Sequence, residues 1–93
     1  MKTRIISIKS NGTYLRNDFS EVKNAIKFNH ENTNDMGSII TIDYNDYSIS
    51  LNQLFKLDVY AQGKKNDIKD SIIEIENCIN KVISGFSFEK IHI

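Results

Sequence analysis

Between Asn66 and Phe86 the apolar residues return every third or fourth position: Ile68, Ile72, Ile75, Ile79, Val82 and Phe86, with Ile73 and Ile83 widening the stripe. That spacing lines them along one side of an α-helix, because 3.6 residues complete a turn. A helix with one apolar stripe gains its stability from what covers the stripe, so the rest of the chain must supply a matching surface. Asn66 or Asp67 is suited to cap its start, and Gly85 to end it in a left-handed conformation. Cys78, the single cysteine, falls on the apolar side of this helix. One cysteine excludes an intrachain disulfide and a cysteine-based zinc site, and a buried small hydrophobe is its expected role.

The covering surface reads as a sheet. Residues 4–9 are rich in isoleucine and stop at Ser10-Asn11-Gly12, the pattern of a strand followed by a turn. A first helix is expected over about 18–28, with Phe19, Val22, Ala25 and Ile26 on one face and Asn17 or Asp18 as its cap. Residues 29–37 are polar without periodicity and read as a loop. Ile40, Ile42 and Tyr44 then alternate with Ile39, Thr41 and Asp43, Asn45-Asp46 forms a two-residue turn, and residues 47–51 return, which makes a hairpin. Residues 52–56 have room for a single helical turn, and residues 57–62 form another strand ended by Gly63. Two amphipathic helices against an antiparallel sheet make a two-layer α+β sandwich, open on one side.

Ninety-three residues suffice for one domain with a modest core. Twelve basic and twelve acidic residues cancel, which argues against a dedicated nucleic-acid or membrane-surface binder. The balance is uneven along the chain, since the basic residues outnumber the acidic ones up to residue 30 and the reverse holds from 31 to 63. Arg16, Lys23 and Lys27 therefore give the first helix a positive side, suited to an acidic protein partner or simply to water. No N-terminal stretch reads as a signal peptide, and no apolar run approaches the ~20 residues that span a bilayer, so a soluble, cytoplasmic protein is expected. His30 and His92 are expected to be solvated. Nothing in the pattern asks for a metal or a cofactor.

The stretch Asn11-Gly12-Thr13-Tyr14-Leu15-Arg16-Asn17-Asp18-Phe19 sets a glycine loop and an arginine before a helix start. Helix starts present unpaired N–H groups and a positive dipole end, which favour anions. Here the chain resembles HPr, the histidine-containing phosphocarrier of the bacterial sugar phosphotransferase system, whose motif reads Gly, any residue, His, Ala, Arg, Pro. Gly12 and Arg16 hold their places, Tyr14 stands where the histidine would be, and Asn17 replaces the proline. Lys27-Phe28-Asn29, Tyr44-Asn45 and Tyr60-Ala61-Gln62-Gly63 are similar to further family motifs and occur in the same order, so the resemblance covers about residues 3–84. It implies a sheet of four strands in the order 1-4-2-3, two long helices on one face, and a middle helix shortened to the turn at 52–56.

The departures bear on chemistry. Imidazole, with a reference pKa near 6.5, offers a free ring nitrogen at neutral pH, whereas a phenol of pKa near 10 is ionised to roughly one part in a thousand. The family's regulatory serine falls on Gln53. The resemblance therefore implies an HPr-like protein that is not an enzyme and carries no phosphate, a protein-binding or regulatory module related to the phosphotransferase system. Its surface would comprise Tyr14, Arg16, Asn17, Lys23, Lys27, Gln53, Leu54 and Phe55, with Arg16 the remnant of a phosphate contact. Leu54 and Phe55 could equally be core, and Arg16 a plain surface residue. The alternatives are an active carrier with a non-histidine acceptor, or an unrelated small α+β domain for ligand binding or assembly. The resemblance implies an HPr-like domain over residues 1–85, with residues 86–93 extending past its end with paired apolar positions. That extension is expected to add a strand, to its own sheet or to a second copy's as a homodimer contact, the alternative being a frayed tail.

Overall fold

A computed structural model describes residues 3–12, 14, 16–62 and 65–89. Seven elements follow one another: β1 (Thr3–Ile8), α1 (Arg16–Asn29), β2 (Thr33–Asp35), β3 (Ile39–Asp43), β4 (Tyr47–Asn52), β5 (Leu57–Ala61) and α2 (Lys65–Asn80). The strands form one antiparallel sheet in the order β1-β5-β4-β3-β2. Both helices cover one face of it, and the α+β reading holds.

The pairing register shows why these isoleucines occupy these positions. Ile42, Ile49, Val59 and Ile6 are successive partners across four strands, and Ile40, Leu51, Leu57 and Ile8 form the next row. Alternation puts both rows on the helix side. From above, Phe19, Val22 and Ile26 of α1 and Ile68, Ile72, Ile75 and Ile79 of α2 are buried against them. The expected burial of Ile72, Ile75 and Ile79 is met, and Cys78 is buried beside them, which pushes its thiol pKa up. On the other face the partners are Thr41, Ser50, Asp58 and Ser7, a polar row suited to water, with Thr41 Oγ1 and Ser50 Oγ 3.0 Å apart.

The strand order corrects the 1-4-2-3 arrangement. Residues 52–56 are not a shortened middle helix. They are a hairpin connection in which Phe55 N–H donates to Asn52 O (2.9 Å) and Asn52 N–H to Lys56 O (3.0 Å). Three intervening residues close a hairpin between neighbouring strands, so β5 must lie beside β4. In the implied order β5 would have to pass over one strand, about 10 Å away, which this closed loop does not do. The chain thus runs β2 to β5 as a meander, and β1 adds at the end beside β5.

Smaller corrections have local causes. Within the polar stretch 29–37, Thr33–Asp35 forms the edge strand β2, its backbone paired with β3 despite its polar side chains. The first helix begins at Arg16, so Asn17 and Asp18 sit in its first turn and do not cap it. The last helix begins at Lys65 and stops at Asn80. A series of turns follows and ends at Gly85, which has φ +80°. His30 is not solvated. Its side chain is only 9% exposed, with Nδ1 3.0 Å from Ile26 O and Nε2 3.1 Å from Glu74 Oε1 on α2. Gly63 and His92 lie outside the described residues. Among the described residues no helix is long and apolar enough to cross a membrane.

Candidate functional site

Five aromatic rings meet where β1 leaves the sheet. Tyr14 lies 5.3 Å from Phe55 and 5.1 Å from Phe86, Phe55 lies 5.7 Å from Phe19, and Phe86 stands edge-on to Phe88 at 5.0 Å. Such tilted and edge-on pairs add to simple burial. Tyr14 is held at both ends, its ring in this cluster and its hydroxyl donating to Asn11 Oδ1.

The C-terminal extension completes the cluster. Asn11 N–H donates to Ser87 O (2.8 Å) and Glu89 N–H to Lys9 O (2.7 Å), an antiparallel bridge centred on Ser10 and Phe88. Side chains fasten it further: Asn80 Nδ2 donates to Phe86 O (2.8 Å), and Glu76 Oε2 accepts from Phe88 N–H (3.0 Å). Residues 87–89 therefore meet the segment after β1 through a single bridge and form no strand of the five-stranded sheet. Residues 90–93, also assigned to the extra strand, lie outside the described residues.

The loop between β4 and β5 is organised by Asn52, whose Oδ1 accepts from Leu54 N–H (2.9 Å) and Lys56 N–H (3.1 Å). Phe55 occupies the left-handed region at φ +59°, where a side chain is strained and glycine is the usual occupant. The conformation turns Phe55 fully inward and leaves Leu54 outward, 74% exposed. Beside Leu54 lies a cleft of about 250 Å³ lined by Lys9, Ser10, Gly12, Leu54 and Lys56.

The residues expected to form one surface are divided among three places. Gln53 and Leu54 are at the hairpin tip, with Gln53 N–H donating to Ser38 O (2.9 Å). Tyr14 and Phe55 belong to the ring cluster, and Phe55 offers no surface to a partner. Lys23 and Lys27 reach Asp35 of β2 instead, at 3.1 and 2.9 Å, and Lys23 also donates to Gly37 O (2.8 Å). With Lys27, the Gly37 N–H and Lys23 all favouring the anion, the Asp35 carboxyl is held well below the usual carboxylate range. Asn17 is exposed on the first turn of α1, and the side chain of Arg16 lies outside the described residues. Lys9 and Lys56 were absent from the expected surface. Their signal was the strand register, which no single segment carries.

No group of three metal-ligating side chains occurs among the described residues. Comparison of the chain with protein-family models, with curated proteins and with solved structures gave no match.

Proposed function

We propose that the chain is a small protein-binding module, similar to HPr in its loop and helix motifs, that transfers no phosphoryl group and meets its partner through the tip of the β4–β5 hairpin. The observation that carries this reading is Leu54, a large apolar side chain left 74% exposed by a loop that strains Phe55 to bury it. An exposed apolar residue flanked by lysines is the composition of a protein contact with an apolar centre and a charged rim. Tyr14 supports the same reading, because its ring is packed and its hydroxyl engaged with Asn11. The sheet order favours a second reading, a binding domain with no tie to the phosphotransferase system.

The test combines two measurements. The chain is incubated with phosphoenolpyruvate and the first enzyme of the system, and its intact mass is read; no added phosphoryl group is expected, and robust addition overturns the proposal. Isotope-labelled chain is then titrated with that enzyme and with regulators that recognise HPr. Shifts confined to Gln53, Leu54 and Lys56, and abolished in Leu54→Asp, support the leading reading. An unchanged spectrum with every one of them transfers the module to the second.

A further inference from the structure

The cleft beside Leu54 has a charge pattern that the fold itself does not use. The β1–β5 register pairs Ile8 with Leu57, both turned toward the helices. Carried one residue further, it sets Lys9 across from Lys56 on the opposite face, and both line the cleft. Like charges directly across an antiparallel pair destabilise it. Neither ammonium forms an ion pair among the described residues. The acidic groups nearby are Asp58, one row away and 4.0 Å from Arg4, and Glu89, whose backbone bonds to Lys9.

Both lysines are also fixed at their bases. Lys9 O accepts from Glu89 N–H (2.7 Å), Lys56 N–H donates to Asn52 Oδ1 (3.1 Å), and Lys56 O accepts from Asn52 N–H (3.0 Å). The two cations are thus presented by paired backbone, with less ordering left for a ligand to impose. Among the described residues the wall between them carries no acidic side chain, only Ser10, Gly12 and Leu54.

We propose that this cleft is a seat for an oxyanion, a carboxylate or phosphate group, gripped between Lys9 and Lys56. It deepens the reading of the hairpin tip as a binding surface, on which it rests, by naming the chemistry of the group that enters beside Leu54. The seat turns a repulsive pair into two charge-assisted contacts on one anion.

The experiment is a titration of the isotope-labelled full chain with sodium acetate and with sodium phosphate, against sodium chloride at matched ionic strength. Saturable shifts are expected at Lys9, Ser10, Gly12 and Lys56 with both oxyanions, and the tighter of the two names the source. Lys9→Gln and Lys56→Gln are each expected to weaken binding roughly two- to fivefold, the range of an exposed ion pair, and Glu89→Gln to tighten it by a similar factor. Shifts no larger than those with chloride, or unchanged in the Lys9→Gln/Lys56→Gln double variant, overturn the seat. A partner that binds undiminished to Leu54→Asp sinks the docking surface alone, since the small anions do not need that side chain.

Discussion

Strand β4 is entered and left through two tight connections of opposite character. At its start the loop is Asn45-Asp46, flanked by Tyr44 and Tyr47, whose rings stack at 4.5 Å. Short polar residues there favour a turn by themselves. Tyr47 then anchors the hairpin to α2 through Ser71 Oγ and Asp67 O, and burial pushes the neighbouring Tyr44 phenol up to about 12. At its end the loop is Gln53-Leu54-Phe55, with a bulky ring where the backbone asks for glycine. One turn is specified by its own residues, the other by rings contributed from β1's exit loop, α1 and the C-terminal extension.

The largest expected effect is at Phe55. Phe55→Ala should cost about 3–5 kcal/mol, as truncation of a buried ring does. Phe55→Gly should cost about 1 kcal/mol less than alanine, reversing the usual ranking, because glycine takes φ +59° without strain. Urea unfolding of both variants measures this, and alanine proving the more stable would break the comparison. Next is deletion of residues 87–93, which removes Phe88 from the cluster with its backbone bonds. A loss of about 2–4 kcal/mol is expected from a side chain of that size and the bonds that go with it. An unchanged melting temperature would show the extension to be ornamental.

A smaller effect is expected at the other turn. Tyr47→Phe keeps the ring and loses the hydroxyl bonds to α2, at a cost of about 1–2 kcal/mol, readable by denaturation with the hairpin still formed. The smallest concerns Asp35, whose carboxyl is depressed by Lys27, Gly37 N–H and Lys23. A depressed folded-state value gives stability that is present above the ordinary carboxylate range and lost as pH falls through the folded value. Asp35→Asn should therefore be slightly less stable than the parent at pH 7, and the gap should narrow as the solution is acidified below about pH 4. A gap that does not narrow on acidification would remove the clamp between α1 and β2.

Where the signal was local, it was legible. The stripe of α2, the apolar face of α1 and the Asn45-Asp46 hairpin all follow from residue spacing over one or two turns or rungs. The loop at 53–55 was not, because Gln-Leu-Phe has no turn character and its geometry comes from distant rings. The strand order failed with it, since one misread connection reassigns the neighbour of β5. Of the candidate site, Leu54 was legible as a residue but not its outward turn. Lys9 and Lys56 come to line one cleft only through a pairing between chain segments far apart. Lys23 and Lys27 were diverted by Asp35, which sits in a strand too short and polar to be recognised.

The pairing of β1 with β5 also sets a timetable. Strands β2 to β5 are joined by tight connections and can zip together locally, whereas Thr3 must find Ala61. Contacts between such distant residues carry the closure entropy of everything between them, and they slow folding. During synthesis, residues 3–8 emerge well before β5 and wait for that partner until it too has left the ribosome. The nascent chain therefore exposes an isoleucine-rich segment until β5 appears, and that is the moment the hazard ends.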